Sequence, residues 1–428
     1  MDIKKMTASV LGLTLTMGSG VMSSCQWRPS RSSPPPLTDR TIPPEATIPL
    51  KESWDAYRKR FIQADGRIID WETKERSTSE GQAYAMFRAV FADDPDSFDR
   101  TLKWSESNLQ RRDNRGKPMD SLWAWKWGKS ASNQWVQLDP NFASDADIDA
   151  CFALILASDR WSRPDYLALA KTKLKDLWNF STLTHNDQTY LLPGPKIAFQ
   201  QGDRLTLNPS YLAPYAFRLF AQVDPDRDWM ALVDSSYAIL ENSASLSNVG
   251  LPSDWVNFAL KTGKYSALES GSPLKTQYGF DATRVWWRIA LDGAIFNEAR
   301  SMNYLQAHLK PLQNRWRKDR KIPAQIDLQG NPMVNYEATS QYGMLYSALR
   351  PLDPTMATEI YQQKIKPTYR SGFWDNDKAY YTQNLAWFGL LAPHDIAQAM
   401  KGKFPRLPSD SSCVPTELPN RIAMPSTP

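Results

Sequence analysis

Cysteine and histidine are scarce in this sequence, three of each among 428 residues. Cys25, Cys151 and Cys413 stand far apart, and so sparse an odd set builds no disulfide framework and has no metal-ligand spacing. His185, His308 and His394 are isolated, and no H-E-x-x-H pair occurs, so nothing points to a zinc site. Long runs of one charge are missing too. The 51 basic and 46 acidic residues are interspersed, with a net charge of +5, which leaves no electrostatic footprint for nucleic acid. There is no G-x-S-x-G elbow for a serine hydrolase. Gly128-Lys129-Ser130 ends like a phosphate loop, but Trp123 stands where its first glycine belongs. Nucleotide chemistry is therefore poorly supported, and no cofactor or metal is expected.

Tryptophan, by contrast, is abundant. The 17 Trp equal the Tyr in number and exceed the Phe. Many will be core in a chain that is 42% hydrophobic. A surplus of flat apolar rings with a polar edge also suits a groove for a partly wet, partly apolar ligand. Sugar rings are such ligands, because their axial C–H faces stack on aromatics while their hydroxyls need polar partners.

The N-terminus reads as targeting. Lys4 and Lys5 precede the mild apolar stretch 6–22, and small residues lead to Cys25. This layout is too short and too rich in Gly, Ser and Thr for a membrane span. Cys25 resembles the lipid-bearing cysteine of a bacterial lipoprotein, although Met22 matches that box poorly; an ordinary cleaved signal is the alternative. Either way the protein is expected to leave the cytoplasm. Residues 1–25 are thus read as an export segment, 26–50 as a Pro/Ser-rich linker, 51–400 as one folded domain and 401–428 as a loose tail. Within 51–400 apolar residues recur at helical spacing in about a dozen segments. "RIIDW" and "QTYLLPG" are short strand candidates. Two concentric rings of helices, an (α/α)6 barrel, would bury so many helices, though periodicity alone does not choose it over an irregular bundle.

Acids then become informative. Glu80 opens "SEGQAYAMF", Asp145 and Asp147 precede an apolar run, and Asp281 precedes "ATRVWWRIALD". Each has a structural reading. Ser77-x-x-Glu80 fits a capping box, and each Asp fits a helix N-cap. If the three helices share one ring, however, their carboxylates gather on one face among aromatic walls. Glycoside hydrolysis needs two such carboxylates with separated pKa values, one to protonate the leaving oxygen and one to activate water or attack the sugar.

Four motifs carry a resemblance to a known family. "DGRIID" with "STSEGQAYAM", "ASDADIDACFALILASDRW", "NPSYLAP" and "FDATRVWWR" occur in order, over roughly residues 51–392. The chain resembles glycoside hydrolase family 8, inverting β-1,4-glucanases and relatives on an (α/α)6 barrel. The resemblance implies Glu80 as general acid and Asp281 as general base. It implies Asp145 as the residue that grips and distorts the sugar at the cleavage point. Arg284 would hold the base or the sugar, and Tyr211 would line the same subsite. Trp123, Trp125 and Trp127 in "LWAWKWG" are candidates for stacking platforms or for core. One departure is Phe280, where the family often has Tyr before the base; a hydroxyl near the attacking water is missing. The implied partner is a β-linked polysaccharide, with a link to bacterial cellulose production among relatives. Chitosan, xylan and mixed-linkage glucan are alternative polymers, and the basic net charge disfavours a polycation. A cell-surface glycan-binding protein without catalysis is the rival of another class.

Overall fold

The computed structural model describes residues 48–404. The export segment with Cys25, most of the linker and most of the tail with Cys413 lie outside the described residues.

Twelve helices build the domain: α1 (Leu50–Phe61), α2 (Ser79–Ala92), α3 (Pro95–Asn108), α4 (Ser144–Trp161), α5 (Pro164–Ser181), α6 (Pro214–Val223), α7 (Trp229–Ala244), α8 (Arg284–Phe296), α9 (Ala299–His308), α10 (Thr339–Leu352), α11 (Pro354–Ile360) and α12 (Tyr380–Leu390). Three further helices, Lys196–Phe199, Lys310–Asp319 and Pro393–Ala399, sit beside them. The even-numbered helices close a ring, each packing on the next and α12 packing back on α2. Every odd-numbered helix lies outside against an even-numbered partner, and α1 joins the ring's end by packing on α12. The expected (α/α)6 barrel is the fold.

Local composition explains which helices go inside. In α2 every residue is buried except Glu80, and in α4 the whole stretch from Ser144 to Ser158 is buried. Apolar and small residues cover all sides of both, the pattern of a helix with neighbours all round. Outer helices such as α1 bury only a stripe: Leu50, Ser53, Trp54, Tyr57 and Phe61. Where α10 and α12 cross, Gly343 and Gly389 let the backbones touch; a Cβ on Gly389 would lie 2.0 Å from the Gly343 carbonyl oxygen.

Strands occupy the connections. β1 (Ser77–Thr78), β2 (Gln110–Arg112), β3 (Pro118–Lys129) and β4 (Trp135–Phe142) form one antiparallel sheet around β3. The hairpin of β5 (Thr182–His185) and β6 (Gln188–Leu191) contains the expected "QTYL" strand. A second sheet runs in the order β10 (Lys264–Ser266), β9 (Val256–Ala259), β8 (Arg204–Leu207), β7 (Gln200–Gln201). "RIIDW" makes only isolated bridges, Ile62 to Ile68 and Asp70 to Arg76. The long β3–β4 ribbon is the main element missed from the sequence. Its signal was present, since Trp123, Trp125 and Trp127 alternate at strand period.

Candidate active site

The helix starts of the inner ring converge. Arg284, first residue of α8, donates from Nη1 to Glu80 Oε2 at 2.9 Å and to Asp145 Oδ2 at 2.8 Å. Its Nη2 donates to Asp281 Oδ1 at 2.8 Å and to Ser210 Oγ at 3.0 Å. One planar guanidinium therefore touches three carboxylates from three parts of the chain, a use of the fork geometry that lysine cannot match. The Tyr84 hydroxyl also lies 3.2 Å from Nη1. Asp145 and Arg284 lie deep in the floor with 2% and 3% of their side chains open, whereas Glu80 and Asp281 keep 20% and 32% open.

Glu80 is not part of a capping box. Thr78 caps α2, its Oγ1 accepting from the Gly81 N–H at 3.0 Å. Ser77 faces the other way, donating to the Ile68 carbonyl and accepting from Arg67 Nε. Freed from capping, Glu80 points into the cleft, where Tyr380 at the start of α12 donates to its Oε1 at 3.0 Å. Nor is Asp281 or Asp145 an N-cap: α8 and α4 follow Thr283 and Ala143, with no side-chain cap bond.

The electrostatics separate the two exposed acids from ordinary surface carboxylates. Burial pushes the Glu80 carboxyl up to about 7, with Asp145 and Asp281 adding repulsion and Arg284 and Tyr380 opposing. The reason is simple: one guanidinium cannot neutralise three desolvated carboxylates, so a proton is retained. Asp281 is also lifted by burial, against the pull of Arg284 and of two hydrogen bonds to its Oδ2, from Trp255 Nε1 at 2.9 Å and Asn208 Nδ2 at 3.2 Å. Tyr211 lies under the guanidinium, 5.3 Å from ring centroid to Arg284, with Trp255 edge-on at 5.9 Å. Phe280, beside the base candidate, is exposed, and its carbonyl accepts from the Tyr381 hydroxyl at 2.7 Å.

The structure thus gathers Glu80, Asp145, Asp281, Arg284 and Tyr211. It divides the three tryptophans of β3. Trp123 is fully buried, its Nε1 donating to Glu106 at 2.9 Å and its ring under Lys173 Nζ at 4.3 Å, so it is core and offers no face to a ligand. Leu122, Trp123 and Ala124 are buried in succession, and beyond them the register with β4 shifts between Ala124 and Lys126 and again between Lys126 and Trp127. Trp127 is half-buried and packs edge-on against Trp104 at 5.8 Å. Trp125 is half-buried on the strand that pairs with β1, one residue before the partner of Thr78. Tyr380, Tyr84, Asn208, Ser210, Asp254 and Trp255 also reach the site or its supports and were not assigned from sequence. Asn208, Ser210 and Tyr84 lay inside motifs that had been singled out. The others carried no local signal, because their partners are far along the chain.

Comparison with known proteins bears on the family and the fold. A 32% identical relative over 287 residues is an endoglucanase of Pseudomonas fluorescens, covering 66% of this chain and 65% of the relative. The chain therefore spans just under two thirds of that relative's length. An Escherichia coli endoglucanase is 29% identical over 346 residues, 79% of this chain and 85% of the relative. The crystal structure of an endo-1,4-D-glucanase from Vibrio fischeri superposes with a TM-score of 0.69 at 26% identity, covering 79% of this chain and 93% of that one. The profile of the family described as Glycosyl hydrolases family 8 matches residues 42–395, nearly the whole helical double ring with every carboxylate of the cleft, and the chain belongs to that family.

Proposed function

We propose that this protein is an endo-acting glycoside hydrolase that cleaves β-1,4-glucan with inversion of configuration. The observation that carries the reading is the placement of Glu80 and Asp281 on opposite terminal nitrogens of Arg284, with Glu80 held protonated up to about pH 7. Glu80 gives its proton to the glycosidic oxygen as the bond from that oxygen to the anomeric carbon breaks. Asp281 takes a proton from a water that attacks the same carbon from the other side. The two carboxylates bond to different terminal nitrogens of one guanidinium and not to each other; inversion requires room for a water between such a pair. Asp145, locked to Arg284 at 2.8 Å in the cleft floor, grips the hydroxyls of the sugar at the cleavage point. Tyr211 and the exposed Phe280 ring supply apolar surface beside it. The endoglucanase names of the relatives support cellulose-like glucan as the polymer.

The N-terminal sequence supports export and lipid attachment at Cys25, which would keep the enzyme at a membrane surface, near the machinery that extrudes cellulose. Labelling with a palmitate analogue, lost in Cys25→Ala, tests the anchor.

The activity is tested by a reducing-end assay on a soluble cellulose derivative, with chitosan and xylan in parallel and Glu80→Gln as control. Cleavage of the cellulose derivative that is lost in a folded Glu80→Gln protein supports the reading. Cleavage of another polymer alone moves the substrate. A folded protein that binds glucan and cleaves nothing is a glycan-binding protein. Proton NMR of the first product shows the anomeric outcome.

A further inference from the structure

We infer that Asp254 is a positioning residue for Asp281, holding the base through its backbone; this rests on the assignment of Asp281 as base. Asp254 and Trp255 immediately precede β9, and Asn208 immediately follows β8. Leu207 pairs with Val256, so the next rung sets Asn208 opposite Trp255, and both donate to the same oxygen of Asp281. These two bonds fix where the carboxylate points. They do not fix the backbone that carries it: residues 280–283 form a turn ahead of α8, closed by the Thr283 N–H on the Gly279 carbonyl at 3.1 Å, and the N–H groups of Asp281 and Ala282 find no backbone acceptor in it.

Asp254 does that. Its buried Oδ1 accepts from the N–H of Asp281 at 3.0 Å and of Ala282 at 2.7 Å, so two successive peptides are held by one oxygen. Without it, two N–H groups inside the protein lose their partner, and the turn must move to find another. Asp254 is itself tied to the approaching chain, its N–H donating to the Gln277 carbonyl at 2.7 Å. The seat is tight. A Cβ on Gly279 would stand 2.4 Å from Asp254 Oδ2, although the backbone at Gly279 is not left-handed and would accept alanine. Glycine at 279 is therefore read as the space that admits this carboxylate.

That collision supplies the test. Kinetic constants on a soluble cellulose derivative and melting temperatures are measured for Asp254→Ala, Asp254→Asn, Gly279→Ala and the double variant Asp254→Ala/Gly279→Ala. Asp254→Ala should lower kcat about a hundred-fold, the effect of a displacement near 1 Å at a reacting group, with KM little changed. Asp254→Asn keeps a carbonyl oxygen for both N–H groups and should retain most of kcat. Gly279→Ala should lose kcat as Asp254→Ala does, by pushing the carboxylate off its seat. The double variant should be no worse than Asp254→Ala alone, because the new methyl fills vacated space. Multiplying losses, or an Asn variant as poor as Ala, overturn the proposal. Should Asp254→Ala not fold, Asp254→Asn and Asp254→Glu decide, since Glu overfills the seat; equal kcat in these two also overturns it. Asp281→Ala separates the premises: if it keeps wild-type kcat the base assignment fails, and if it is inactive while Asp254→Ala matches wild type only the positioning role fails.

Discussion

The Arg284 guanidinium and the Glu80 carboxylate meet at 2.9 Å although 204 residues separate them in the chain. The contact is possible because α2 and α8 start on the same face of the ring, and it makes the site one charge network. Arg284 is 3% exposed, so its loss strands Asp145 and leaves Glu80 and Asp281 without their common partner.

Arg284→Lys keeps the charge and removes the fork. A single ammonium cannot reach the oxygens of Glu80, Asp145 and Asp281 from two nitrogens in one plane. The variant should lose at least about a hundred-fold in kcat/KM, the scale of removing one preorganised electrostatic contact at a reacting centre. The measurement is steady-state kinetics beside a thermal melt. A variant with near-normal turnover would show that the network is structural only.

The pH profile should have a falling limb on the alkaline side that belongs to Glu80. The acid works only while protonated, so kcat/KM should decline as pH rises through about 7. Tyr380 donates to the charged form and lowers this pKa. In Tyr380→Phe that support is gone, Glu80 holds its proton longer, and the limb should move to higher pH. A limb that stays put or moves down would separate it from Glu80.

How far the sequence could be read follows from where the partners sit. The helices were legible from apolar residues at helical spacing, and "SEGQAYAMFRAVFA" and "SDADIDACFALILAS", apolar or small over most of their surface, turned out to be inner ones. Glu80, the one residue of α2 left unburied, was singled out as an acid at the helix start, and its role as general acid came from the family resemblance. Asp145, Asp281, Arg284 and Tyr211 came through family motifs. Thr78 as the true cap was hidden because Ser77, Thr78 and Ser79 offer three hydroxyls, and only the tertiary bonds of Ser77 to Ile68 and Arg67 decide among them. Asp254 and Tyr380 were illegible for a stronger reason: their roles consist of contacts to residues 27 and 28 positions away in the first case and 300 in the second.

Trp123 and Trp125 should behave oppositely. Trp123→Ala removes a buried ring, a hydrogen bond to Glu106 and the cover over Lys173. It should cost about 3–5 kcal/mol of stability, the usual range for a buried large aromatic, with KM unchanged in the protein that remains folded. Trp125→Ala should leave the melting temperature near wild type and raise KM for the polymer several-fold, if its half-exposed ring is a stacking surface. Melting curves and substrate saturation on the two variants read both effects. A normal KM in Trp125→Ala would remove that residue from the binding cleft.

Asp147 sits on the same helix as Asp145 but faces the core. Its Oδ1 accepts only a long bond of 3.4 Å from the Trp123 N–H, and no partner meets its buried Oδ2. Burial lifts this carboxyl to about 8, with Lys173 opposing. In the unfolded chain an aspartate releases its proton near 3.9. The folded state therefore holds a proton that the unfolded state has lost between about pH 4 and about pH 8, so this residue makes stability fall as pH rises through that window. Asn at the same position keeps a carbonyl for Trp123 and carries no proton to lose. Asp147→Asn should accordingly be more stable than wild type at pH 9, by a margin that shrinks steadily as the pH is lowered to 5. Urea midpoints for both proteins at the two pH values check this, and a margin independent of pH would mean that Asp147 is ionised in the folded protein throughout, its charge met by the buried Lys173 nearby.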